Sequence, residues 1–165
     1  MKQDNVYKLT LLYRNSRDGD KVAKFRELCN GKGPTIAVGK VSGAEEILGG
    51  YNPLSWGSND GYAETKESFL FTLDKNMDKC IVSFVDNNHS SKAIWDNNSC
   101  FPTFGTDLYF GSSNSRYVTK PYAKKKAYQL PVFSISRRSK PEELPKTYKN
   151  SKKILKSKIK RMKKE

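Results

Sequence analysis

The side chains able to do acid, base, nucleophilic or metal chemistry are few in this sequence, and their spacing suits such chemistry poorly. His89 is the one histidine. A serine–histidine–carboxylate relay would have to use it, and no G-x-S-x-G turn is present to expose a nucleophile. It stands in Asp86-Asn87-Asn88-His89-Ser90-Ser91, a run that predicts an exposed turn. Cys29, Cys80 and Cys100 include no C-x-x-C pair, which leaves neither a zinc knuckle nor a thioredoxin-type redox pair. Each cysteine reads as a small, half-buried hydrophobe.

Other motifs fail at particular positions. Asp74-Lys75-Asn76-Met77-Asp78 opens like a calcium-binding loop. Lys79, however, occupies the sixth position, where the sharp turn needs glycine, and Val85 the twelfth, where a bidentate glutamate belongs. Asn30-Gly31-Lys32-Gly33-Pro34-Thr35 holds the letters of a phosphate loop in the wrong order and spacing. Glu45-Glu46 and Glu142-Glu143 fall in turn and linker sequence, which predicts solvated faces rather than acid–base work. Asp107 follows Phe104-Gly105-Thr106 and precedes an apolar run, and it predicts a turn acceptor for backbone N–H groups. The expectation is a protein with no catalytic residue, no metal, no cofactor and no small-molecule substrate.

The elements that would position these residues are mostly strands. Val6 to Tyr13 (VYKLTLLY) is a strand candidate, followed by turn chemistry over Asn15 to Asp20. Val22, Phe25, Leu28 and Cys29 lie on one face of a helix that Gly31 would stop. Thr35 to Val41 predicts a strand, Ser42 to Glu46 a hairpin turn, and Ile47 to Tyr51 an antiparallel return. The adjacent Gly49 and Gly50 predict a bulge or a close backbone approach. Ser68 to Leu73, Cys80 to Val85, Lys92 to Trp95, Asp107 to Phe110 and Tyr128 to Ile135 are further strands. Pro131 makes the last one an edge, a bulge or a shorter strand. Short strands at close, regular spacing imply an antiparallel sandwich or barrel. Runs such as Phe69-Leu70-Phe71, apolar on both sides, suit inner strands of two packed sheets.

Several of these stretches, in order, resemble the TLDc domain family, the family of oxidation-resistance proteins. Thr65 to Leu73 (TKESFLFTL) and Asp107 to Ser115 (DLYFGSSNS) look like two hallmark stretches of the family. Leu11 to Gly19 (LLYRNSRDG) resembles its opening strand and turn, and Gly33 to Asn52 its first hairpin in the form seen in fungal members. The resemblance runs across roughly residues 7–120. It implies a mostly β fold, a two-layer antiparallel β-sandwich with a few short helices, and no established enzymatic reaction. It also implies protection against oxidative stress, with a protein partner that in some members is the peripheral part of the vacuolar proton-pumping ATPase. Gly49, Gly50, Tyr51, Glu67, Ser68, Phe69, Gly105, Asp107, Leu108 and Tyr109 fall on family motifs, most of them fold-making, with Phe69 and Leu108 in the core. Family members usually carry a helical segment before the opening strand, where about six residues stand here. They usually close on a strand with acidic and aromatic residues, where this chain has Tyr128 to Ile135 with no acid.

Charge divides the 165 residues in two. Residues 1–118 hold 14 basic and 14 acidic side chains, whereas residues 119–165 hold 17 basic and 3 acidic, so the net +14 lies wholly in the last 47 positions. The reading is a sandwich domain over 1–135 and a basic linker and tail over 136–165. In Lys149 to Lys164, 9 of 16 residues are basic and none is acidic. Tyr148, Leu155, Ile159 and Met162 lie at the spacing of a narrow apolar stripe, which predicts an amphipathic helix on a suitable surface, whereas like-charge repulsion and little apolar surface predict a disordered tail in water. Lys152, Lys153, Lys156, Lys158, Lys160, Arg161, Lys163 and Lys164 are candidates for binding anionic lipid or nucleic acid. The stripe favours a membrane or a protein groove, and the counter-reading is a solubilising tail. The odd cysteine count and the absence of an apolar leader after Met1-Lys2-Gln3-Asp4 predict an intracellular, cytoplasmic protein. Nuclear or membrane-peripheral placement through the tail is the alternative.

Overall fold

The computed structural model describes residues 9–40, 46–74, 80–112 and 127–128. Two short helices come first, α1 (Asn15–Asp18) and α2 (Val22–Cys29). Eight strands follow: β1 (Thr35–Lys40), β2 (Ile47–Asn52), β3 (Gly61–Ala63), β4 (Phe69–Leu73), β5 (Cys80–Phe84), β6 (Ile94–Asp96), β7 (Thr103–Phe104) and β8 (Leu108–Tyr109). A 3₁₀ helix, Asn87–Lys92, separates β5 from β6. The strands form two antiparallel sheets of four, ordered β1-β2-β4-β5 and β3-β6-β7-β8. The protein is therefore mostly β, as its strand spacing implies.

The opening run differs from expectation. Residues 9–14 form no strand, and Leu9 and Leu11 are 81 % and 58 % exposed. Strand propensity needs a partner to become a strand. Here the chain turns instead into α1, which the Asp18 carboxylate closes by accepting the Arg14 N–H at 2.7 Å. Leu12 and Tyr13 alone of this stretch pack on the core. The expected turn over Asn15 to Asp20 thus contains a helical turn, and the one after β5 winds into the 3₁₀ helix. Residues before Leu9, all but Glu46 of the expected hairpin turn Ser42 to Glu46, and most of Tyr128 to Ile135 lie outside the described residues. Strands β3 and β7, too short to show an alternating pattern, were not expected from the sequence.

α2 buries Val22, Phe25 and Cys29 on the face that its spacing implies, and it ends where Gly31 takes a φ of +71°. Positive φ is costly for a side chain with a Cβ, so glycine suits this stop. The interior joins both sheets: Leu48 and Leu70 from the first meet Ala63, Ile94, Phe104 and Leu108 from the second, with Phe25 and Trp56 at one end. Tyr51, Phe69, Phe71, Cys80 and Val82 form a second buried cluster on the opposite face of the first sheet. β4 is consequently buried on both faces, which is why Phe69-Leu70-Phe71 reads as a continuous apolar run.

The two glycines of β2 serve these two faces. The β1–β2 and β2–β4 registers run through them unbroken, so the close approach is the realised alternative and the bulge is not. A Cβ on Gly49 would collide with the Phe71 ring, and one on Gly50 would come within 2.5 Å of the Phe104 ring of the other sheet. The missing side chains let one phenylalanine lie flat on β2 and another pass between the sheets.

Candidate functional site

Four of the family-motif positions converge on one buried place. Ser68 directly precedes β4 and is 0 % exposed. Its Oγ donates to the Tyr51 carbonyl at 2.6 Å and lies 2.7 Å from the Tyr128 hydroxyl. Tyr128 in turn donates to the Ala93 carbonyl at 2.9 Å. Two hydroxyls carry two protons for three contacts, and both carbonyls only accept. The Ser68–Tyr128 contact therefore holds a proton only when one carbonyl gives its own up.

Asp107 supplies the second half. The turn between β7 and β8 passes through Gly105 at φ +57° and closes when the Asp107 N–H donates to the Phe104 carbonyl at 3.0 Å. This aims the carboxylate inward, where Oδ2 accepts the Ala127 N–H at 2.8 Å. Asp107 is thus a backbone acceptor, and the donor is 20 positions away. A Cβ on Gly105 would lie 2.7 Å from the Lys92 carbonyl and 3.2 Å from the Ala127 Cβ. The Ala127 carbonyl accepts the Asp86 N–H at 2.9 Å, and Tyr128 bridges to Val85 beyond the end of β5. Burial holds the Tyr128 phenol far above its usual range, the Asp107 charge adds to that, and the Ser68 bond opposes it. The arrangement is a clamp on residues 127–128, closed to solvent.

A second polar network fixes α2. Arg26, 6 % exposed, donates from Nη1 to Asp96 Oδ1 at 2.6 Å, and to the carbonyls of Cys100 and Asn97. Asp96 Oδ2 accepts the Gly57 N–H at 2.7 Å. Every strong donor and acceptor here has a partner, as a buried ion pair requires. Asn52 differs: among the described residues its buried Nδ2 has no acceptor, while Oδ1 takes the Leu54 N–H at 2.9 Å.

The remaining candidates stand apart. Tyr51 and Phe69 stack in the second cluster with centroids 5.1 Å apart, Leu108 is in the main core, Tyr109 is half-buried on β8, and Glu67 is exposed. His89 is exposed, and its Nδ1 is 3.9 Å from Asp86, beyond hydrogen-bonding range. None of the three cysteines is in a disulfide. Desolvation pushes the Cys29 thiol up to about 11, partly opposed by Arg26, and pushes Cys100 up as well. The thiolate is the nucleophilic form, so Cys29 is a weak nucleophile at neutral pH. Among the described residues no three His, Cys, Asp or Glu side chains gather as a metal site, and no helix is long and apolar enough to cross a membrane. The tail lysines and Arg161 lie outside the described residues.

Arg26, Asp96 and Tyr128 are the interior polar residues that sequence reasoning missed. An arginine inside the apolar face of α2 was the available signal for the first. Asp96 and Tyr128 carry none, because their partners are distant in sequence. A family model described as TLDc domain matches residues 1–145. Neither a curated protein nor a solved structure matches the chain.

Proposed function

The chain belongs to the TLDc domain family, and from that membership we propose that it is a non-enzymatic protein-interaction module of the oxidation-resistance type. Its proposed partner is the peripheral part of the vacuolar proton-pumping ATPase. The observation behind the reading is the fate of the motif polar groups. Ser68 and Asp107 are 0 % and 1 % exposed, and their bonds go to the chain's own Tyr51, Tyr128 and Ala127. A hydroxyl and a carboxylate held this way are out of reach of a substrate. With these two groups turned inward, the reading rests on the surface of the domain, since function is argued from a site rather than from a fold.

The test is titration of the immobilised full-length protein with the purified peripheral sector of the ATPase. Saturable binding, absent for heat-unfolded protein, is the expected result. No binding at micromolar sector concentration overturns the ATPase assignment. Consumption of peroxide or another small substrate by the purified chain, lost on a single substitution in a cleft, overturns the non-enzymatic reading.

A further inference from the structure

The outer face of the second sheet carries a stripe of rings that the clamp does not use. Tyr62 of β3 faces Trp95 of β6 in register, and the rings meet edge to face with centroids 4.7 Å apart. Trp95 is opposite Thr103 of β7, and Thr103 is opposite Tyr109 of β8. Directly opposed residues of antiparallel strands share a face, so Tyr62, Trp95, Thr103 and Tyr109 cross the sheet in one row. Tyr62 is 44 % exposed, Trp95 and Tyr109 are half-buried, and Thr103 between them is buried.

Carboxylates flank this row. Asp60 and Glu64 flank the three-residue strand β3, each two positions from Tyr62. Asp60 accepts from Asn97, just past the end of β6, at 2.8 Å, and Glu64 accepts from Ser90 of the 3₁₀ helix at 2.7 Å. Both are exposed, and neither is paired with a cation among the described residues. Lys66 and Lys92 are the nearest basic residues in sequence to this face, and both are exposed. The wider stretch is acidic, with 9 Asp and Glu against 4 Lys over residues 46–112. Ring faces beside carboxylates attract ammonium and guanidinium groups, and the same carboxylates repel phosphate. The face thus selects for a cation and against nucleic acid or anionic lipid.

We propose that the Tyr62–Trp95–Tyr109 row, with Asp60 and Glu64, is the docking surface for the chain's own basic segment 149–164. That segment carries 9 Lys and Arg and no acidic residue, the complement of the acidic stretch. Lysine heads lie beside the carboxylates and over the rings. The inference does not depend on the ATPase assignment, and its readout is intramolecular.

The experiment is acrylamide quenching of tryptophan fluorescence in the full-length chain. Of the two tryptophans, Trp56 is 2 % exposed, so quenching reports on Trp95. The Debye length falls from about 10 Å at 0.1 M salt to about 3 Å at 1 M, so added salt is expected to release the segment and raise the quenching constant about twofold. A full-length variant with Lys152, Lys153, Lys156 and Lys158 changed to Gln is expected to show the raised constant already at low salt. Asp60→Asn with Glu64→Gln, which keeps both oxygen acceptors, is expected to do the same. Equal, salt-independent quenching in wild type and variants overturns the proposal. Shielding that grows with protein concentration overturns it too, by assigning the dock to the tail of a second copy.

Discussion

Cys29 lies on the buried face of α2, where desolvation raises its thiol from 9.0 to about 11. The folded chain then keeps this proton over a range in which the unfolded chain has lost it. Stability contributed by the neutral thiol is complete below pH 9 and is lost as pH rises toward 11. Wild type is expected to lose about 1–3 kcal/mol more than Cys29→Ser across that window in urea unfolding. In the folded chain at pH 8, iodoacetamide followed by mass spectrometry is expected to leave Cys29 unlabelled. Rapid labelling in the folded state contradicts this account. Gly49 and Gly50 belong to the same scale. The sequence shows that two adjacent positions in a strand refuse side chains, and a close approach was one of the two readings. Which ring lies against which glycine depended on β4 and β7, strands that β2 meets only after folding.

At the scale of elements, α2 was legible from its apolar period, and its attachment was not. The helix is held to the end of β6 by Arg26 and Asp96, 70 positions apart and 6 % and 2 % exposed. Removing one member of a buried pair strands the other charge, so Arg26→Met is expected to cost about 3–5 kcal/mol. Arg26→Met with Asp96→Asn is expected to cost less than the sum of the two single changes, since both then remove one interaction. Equilibrium unfolding of the four proteins checks it, and strict additivity contradicts it. β1, β2, β4 and β5 could be read from sequence because each is five or six residues long and bounded by turn residues. β3 and β7, of three and two residues, are strands only because a neighbour pairs with them. The run before α1 shows the converse, strand-forming residues that no described strand takes up.

For the whole molecule, the decisive contact is the return of residues 127–128 to the sandwich. Ser68 and Tyr128 are 60 positions apart and Asp107 and Ala127 20, so the clamp forms only once both sheets stand in place. Tyr128→Phe and Ser68→Ala are each expected to lower the stability of the full chain by about 1–3 kcal/mol, because each removes buried hydrogen bonds of the clamp. The double variant is expected to lose less than the sum, as the two hydroxyls already compete for protons. Denaturant unfolding measures all three, and full additivity shows that the hydroxyls act separately.

By itself the sequence determined the class of the molecule. Strand-length apolar runs, one helical period, the glycine stop after it and the family motifs are local patterns, and local patterns survive in a single chain read end to end. It also determined that positive charge lies at one end, since charge is a property of composition. Tertiary structure alone decided what the motif residues do: Ser68, Gly105 and Asp107 hold a distant segment, and Arg26 finds Asp96. Such pairings are set by the closing of two sheets over a shared core, which brings together groups whose separation along the chain carries no trace of their contact.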